Sequence, residues 1–188
     1  MSTEINKEVV GYFIDQLWNK RNIGVVFLYL DVNYIDYVDN TLGIPPGLPP
    51  GPEGFGRLVN YYLVGFPNLR ATIEDLIAVE DKVVARVTWQ GTHTEDLMGI
   101  SATGKQIKVT GISMSSIGPT SLVDYTILAS WGLFDGSGIL QQIGAIVPPR
   151  LQTPMTPLPV GGPWPSQCHS TADCSPGYVC RDGQCRPR

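Results

Sequence analysis

Apolar positions near the start of the chain recur every four residues. Ile5, Val9, Phe13 and Leu17 form a stripe that Val10, Ile14 and Trp18 widen, the spacing that gathers side chains on one face of an α-helix. Ser2 or Thr3 is a suitable N-cap, and Asn19-Lys20-Arg21-Asn22 ends the run. A second, short helix is predicted over Ile23 to Leu30. Asn33 to Asp39 alternates and reads as a short strand or extended turn. The stretch TLGIPPGLPPGPEG is too rich in Pro and Gly for either regular element. Pro52-Glu53 then starts a third helix, Gly54 to Leu63, with Phe55, Leu58, Val59 and Tyr62 on one side, and Phe66-Pro67 stops it.

From Leu69 to about Phe134 the pattern changes to that of strands: Leu69 to Val79, Lys82 to Thr94, Gln106 to Ile117 and Leu122 to Leu133. Lys82 to Thr94 is the clearest. Val83, Ala85, Val87, Trp89, Gly91 and His93 occupy one parity, and mostly polar residues the other. A period of two puts the first set on the buried face of an antiparallel sheet. A final short helix is predicted over Gly138 to Ile143. Helices first and long strands afterwards predict an α+β fold. The expected form is a cone-shaped barrel: a curved antiparallel sheet with the N-terminal helices on its concave face, leaving a cavity suited to a small molecule.

Composition narrows the function. The 188 residues include 43% hydrophobic and only 16% charged positions, with a formal net charge of −4. The 13 basic residues are scattered, which argues against a nucleic-acid partner, since phosphate contacts need clustered Lys and Arg. The longest apolar stretch, Ile23 to Leu30, is far short of a bilayer span. The first residues, MSTEINKEVV, lack the basic and then apolar pattern of a secretory signal, so the expected location is cytoplasmic.

Residues 148–166 hold seven of the 16 prolines and read as a semi-rigid linker. They separate a body, residues 1–147, from a Cys-rich tail, residues 167–188. Cys168, Cys174, Cys180 and Cys185 follow C-x5-C-x5-C-x4-C. Zinc sites favour pairs two to four residues apart, so two disulfides are the preferred reading, with three pairings open. Such a module leaves a secreted or oxidising location open. A reduced, disordered tail and a metal-binding appendage are the alternatives.

The segments NKEVVGYFIDQLWNKRN, YIDYVDN, GPEGFGRLV, FPNLRATIEDLIAVEDKVVARVTWQGTHT, LMGISATGK and FDGSGILQQIG together resemble the SnoaL-like polyketide cyclase family, of the nuclear-transport-factor-2-like superfamily. The likeness runs from about residue 6 to 144. It implies an α+β cone, a homodimer formed through the outer sheet face, and a small apolar or polyketide-like ligand. For the best-known members it implies ring closure by an intramolecular aldol reaction without metal or cofactor.

Such chemistry needs a base beside the carbon acid and a donor where negative charge develops. The family's pattern carries over to Asp36 as base or polar anchor and His93 as donor or general acid. The family's last-strand aspartate falls near Gly132, so Asp135 is the nearest carboxylate there. Ser130 stands where the family has a histidine before Trp131, and Ser113 and Ser115 occupy the preceding strand. Tyr34, Tyr37 and Tyr61 are candidate phenol donors, and Trp89 and Trp131 candidate walls. Each has a structural alternative: Asp36 as a turn residue, His93 as a core histidine, Asp135 as a helix cap, the aromatics as core. No metal site is expected from Asp36, Asp39 and His93. The leading function is a cofactor-independent cyclase or isomerase of natural-product biosynthesis. The rival is a non-catalytic binding or scaffold protein on the same fold.

Overall fold

The computed structural model describes residues 2–39, 48–119, 125–145, 178–181 and 184–187. The chain divides into two compact units, Met1–Pro148 and Pro149–Arg188. The predicted linker, Cys168 and Cys174 lie outside the described residues.

The apolar stripe of the first segment forms α1, Thr3–Ile14. Ser2 holds the N-cap position without a side-chain cap bond. α1 runs into a π-helical turn, Asp15–Asn19, closed by the Lys20 N–H donating to Asp15 O at 3.0 Å. The predicted second helix is two tighter pieces, a 3-10 turn at Ile23–Val25 and α2, Val26–Tyr29. β1 spans Leu30–Asp39 and is a full strand rather than a short one. α3, Gly51–Gly65, begins three residues earlier than the Gly54 start expected from sequence, with proline in its first turn, where the missing N–H has no intrahelical partner to lose. β2 (Arg70–Val79), β3 (Lys82–Thr92), β4 (Gln106–Gly118), β5 (Thr126–Phe134) and α4 (Gly136–Ile143) complete the unit.

The sheet runs β1-β5-β4-β3-β2. β2 through β5 pair antiparallel, whereas β1 pairs parallel with β5. The sheet is therefore mixed, which corrects the expectation of a wholly antiparallel one. A hairpin forces neighbours to run in opposite directions, but β1 reaches β5 only after α3 and three strands, so no tight turn constrains it.

Register explains which residues meet. Asp36 faces Ser130, Ser130 faces Ser115, Ser115 faces Val83 and Val83 faces Ala78. This row lies on the inner face, where α1 packs against β2 and β3 and α3 against β1. The odd positions of β3 are buried as expected: Val83, Ala85 and Val87 join Leu17, Leu63 and Phe66 in the core. The neighbouring row, Ile77, Val84, Met114, Trp131 and Tyr37, falls on the opposite face, because one step along a strand reverses the side chain. In the second unit, β6 (Tyr178–Arg181) and β7 (Gln184–Pro187) form an antiparallel hairpin with Cys180 opposite Cys185.

Candidate functional site

A cavity of about 130 Å³ lies between the inner sheet face and the helices α1 and α3. Its walls are mainly apolar: Val10, Phe13 and Ile14 from α1, Phe55, Leu58, Val59 and Tyr62 from α3, and Val87, Trp89 and Phe134 from the sheet. Trp18, from the π-helical turn, also lines it. The wider turn admits an extra residue, so Leu17 is fully buried while the next side chain reaches the cavity. Asn19 anchors this turn. Its Nδ2 donates to Ala71 O at 3.0 Å and its Oδ1 accepts from Ala71 N at 2.8 Å.

One end of the cavity is an aromatic corner. Trp89 meets Phe134 edge to face at 5.1 Å, and Tyr62 meets Phe134 at 5.4 Å. Gly111 makes the corner possible: a Cβ there would stand 2.8 Å from Leu133 O and 3.0 Å from the Trp89 ring. Any side chain at that position would push the indole away.

The polar groups are gathered on one strip of wall. Tyr34, Asp36, Ser113, Ser115 and Ser130 all line the cavity. Ser115 and Ser130 hydroxyls are 3.1 Å apart. Tyr34 is buried on the same strip, two residues before Asp36 on β1. Burial, and then the negative charge of Asp36, push the Tyr34 phenol well above its ordinary pKa, against a smaller lowering by Ser130. Burial alone pushes Tyr62 up in the same way. Both phenols therefore stay protonated and act as neutral hydrogen-bonding groups. Asp36 is the one carboxylate among the described lining residues, and none of these is Lys, Arg or His.

A second cavity of about 270 Å³ adjoins the first. The two share Tyr34, Asp36, Phe55 and Leu58, and the second extends past Leu48, Pro49 and Pro50 at the start of α3. Asp36 thus stands where the two spaces meet.

The structure brings together Tyr34, Asp36, Trp89, Ser113, Ser115 and Ser130 of the residues singled out from sequence. It separates the others. His93 is fully buried away from the cavity, its Nδ1 3.1 Å from Thr103 Oγ1 and its ring 5.3 Å from Phe66. The last turn of the β3 pattern carries it beyond the cavity into the core. Asp135 is the N-cap of α4, accepting from Gly138 N at 2.7 Å. Trp131 and Tyr37 stack on the outer sheet face, 5.3 Å apart and 4° from parallel. Tyr61 is exposed on α3. Asp39 is the last residue of β1. Among the described residues no three His, Cys, Asp or Glu side chains gather as a metal site would require. Sequence reasoning passed over Trp18, Tyr62 and Phe134. The helical stripes of α1 and α3 contained the first two, and only their convergence with β5 distinguishes cavity wall from core.

The profile of the SnoaL-like polyketide cyclase family matches residues 8–143. No curated protein sequence matches the chain. Among solved structures, TsrD from Streptomyces laurentii superposes with a TM-score of 0.63 at 22% identity, covering 78% of this chain and 99% of its own. AclR from Streptomyces galilaeus, a candidate hydroxylase, gives 0.63 at 19% identity over 79% and 87%. IdmH from Streptomyces antibioticus, a candidate polyketide cyclase, gives 0.61 at 23% identity over 74% and 98%. At these identities the superpositions speak for the shared α+β fold. No helix among the described residues is long and apolar enough to cross a membrane.

Proposed function

Since this chain belongs to the SnoaL-like polyketide cyclase family, we propose that it is a cofactor-independent cyclase or isomerase acting on a small, largely apolar, polyketide- or terpenoid-like molecule. The observation that carries this reading is the meeting of one cavity-lining carboxylate, Asp36, with a strip of four hydroxyls, those of Tyr34, Ser113, Ser115 and Ser130, in an otherwise apolar hollow. Asp36 removes a proton from carbon next to a carbonyl and returns it to the product. The hydroxyl strip supplies hydrogen bonds where enolate or alkoxide charge develops. The walls hold a flexible substrate in its reactive fold, an effect worth up to about 7–11 kcal/mol in well-positioned intramolecular reactions.

His93 and Asp135, expected from the family's pattern to share the acid–base work, take structural roles in this proposal: one in the core, the other at a helix cap. The functional unit is a homodimer joined through the outer sheet face. Support comes from the exposed Ile77, Ile112, Trp131 and Leu133 there, an apolar area of the kind that partners cover. The second unit is held by disulfides, a reading supported by the cross-strand Cys180–Cys185 register and by the lack of a free thiol among the described residues.

The test is hydrogen–deuterium exchange at the α-carbon of a neutral aryl β-keto ester in heavy water, followed by NMR. Wild type should accelerate exchange and Asp36→Asn should lose about 10²–10⁴-fold of that acceleration. Exchange that survives Asp36→Asn at full rate would falsify the assignment. Binding of the ester without exchange would favour the rival, a ligand carrier, which the glycine at position 132 in place of the family's acid supports.

A further inference from the structure

The two cavities differ in size and in what lines them. Pockets for small molecules commonly enclose about 300–1,000 Å³. The inner cavity, at about 130 Å³, falls below that range and is close to the roughly 150 Å³ of an apolar hollow that takes a single benzene. It has room for one ring. The second cavity, at about 270 Å³, is also too small on its own. A molecule that occupies both has the space of an ordinary binding site. The serines and the tryptophans line the inner cavity alone. Beyond the four residues it shares, the second offers only apolar side chains and glycines: Ile35, Leu48, Pro49, Pro50, Gly51 and Gly54.

We propose that the second cavity is a subsite for the apolar arm of the same ligand whose ring and carbonyl occupy the inner one. The ligand class is an aryl β-keto ester. Its ring lies among Trp18, Trp89 and Phe134, its keto oxygen at the serines, and its hydrocarbon arm along Leu48 and Pro49. The carbon between the two carbonyls falls at Asp36, which both linings share. The subsite rests on the reading of the inner cavity as the place of reaction.

The wall of the second cavity is built for close approach. Gly51 has φ +77°, and a Cβ there would stand 3.0 Å from Val32 O on β1. A Cβ at Gly54, in the first turn of α3, would collide with the Pro49 carbonyl oxygen. Glycine at both positions lets Pro49 and Pro50 lie against strand and helix together. The two prolines have fixed φ, so little freedom is lost when a ligand settles on them. Ile35 points away from Tyr34 and Asp36, as alternation along a strand requires, yet all three line this cavity. β1 is an edge strand, so the cavity reaches round the free edge of the sheet, where Ile35 is exposed. The arm therefore runs toward that edge and the ring toward the aromatic corner.

The experiment is isothermal titration calorimetry of the full chain with methyl benzoylacetate, butyl benzoylacetate and methyl para-propylbenzoylacetate. The last two are isomers, equal in methylenes and different only in where these sit. A buried methylene is worth about fourfold in affinity. The butyl ester should bind at least about tenfold more tightly than the methyl ester. It should exceed its ring-substituted isomer by a similar factor, because the propyl group outgrows a cavity with room for one ring. Leu48→Trp, which fills the second cavity, should bring the butyl-to-methyl ratio to within about twofold of one. Equal affinities of the two isomers overturn the proposal, as does a ratio that Leu48→Trp leaves unchanged, or no binding of the butyl ester. If Leu48→Trp fails to fold, the isomer pair on the wild-type chain decides. Calorimetry involves no turnover. The expected preferences without deuterium exchange keep the subsite and remove the catalytic reading, whereas Asp36-dependent exchange with equal isomer affinities removes the subsite alone.

Discussion

Trp18 and Trp89 meet edge to face, with 5.7 Å between ring centroids and 72° between planes. One comes from the π-helical turn after α1, the other from the middle of β3. Their contact closes the aromatic end of the cavity and ties helix to sheet.

Trp18→Ala should therefore enlarge the cavity and destabilise the fold by about 3 kcal/mol, toward the lower end for a large aromatic because Trp18 is half-buried. Urea unfolding measures the loss. Trp18→Phe should recover more than half of it.

Asn19→Ala removes both hydrogen bonds to Ala71. It leaves a buried backbone donor and acceptor at the start of β2 without partners, at a cost of about 1–3 kcal/mol. If the π-helical turn depends on this anchor, Trp18 fluorescence should also shift toward that of an exposed indole under native conditions.

The cavity should discriminate by charge. The described lining residues offer one carboxylate and no cation, and burying an anion without a cationic partner is costly. Neutral phenylnaphthylamine should bind at least about tenfold more tightly than anilinonaphthalene sulfonate, equivalent to about 1.4 kcal/mol. Fluorescence titration of the two dyes gives the ratio, and equal affinities would contradict the lining described above.

Alkaline pH should unfold the protein through its buried phenols. Tyr34 and Tyr62 are raised above the ordinary value of 10.0 by burial. The unfolded chain releases these protons first, so stability is full below pH 10 and falls as pH rises beyond it. The slope approaches about 1.4 kcal/mol per pH unit for each phenol. Tyrosinate absorbance and unfolding should rise together, and the combined Tyr34→Phe and Tyr62→Phe change should flatten the slope.

Met114 sits between Val84 and Trp131 in the outer row. A charge there would be buried in the proposed dimer, so Met114→Glu should give a monomer where wild type sediments as a dimer. The inner cavity is on the other face, and its dye affinity should be retained.

Much of the architecture was legible because it is written in local periods. The four-residue step of Ile5, Val9, Phe13 and Leu17 predicts α1, and the alternation through Val83, Ala85 and Val87 predicts the buried face of β3; both elements form there. Proline at 52 marks α3 within its first turn. The direction of β1 was not legible, because parallel pairing with β5 is set by a partner some ninety residues away in sequence, at Ile127 to Leu133.

The site divides along the same line. Parity along a strand separates Tyr34 and Asp36 from Ile35 and Tyr37, but the pattern does not say which face encloses a hollow. Tyr37 and Trp131 look as suitable for a wall as Trp89 until register sends them outward to stack on each other. His93 shares the parity of Trp89 and still misses the cavity, because depth along the strand, not face alone, decides what it touches. The amino-acid order by itself determined the elements, their buried faces and a short set of chemically able residues, since these follow from neighbours in the chain. Only the tertiary structure decided that Asp36, Ser130 and Ser115 form one row, with Tyr34 on the same cavity wall, while His93 and Asp135 stand apart. Such a row exists only once three strands distant in sequence are laid side by side.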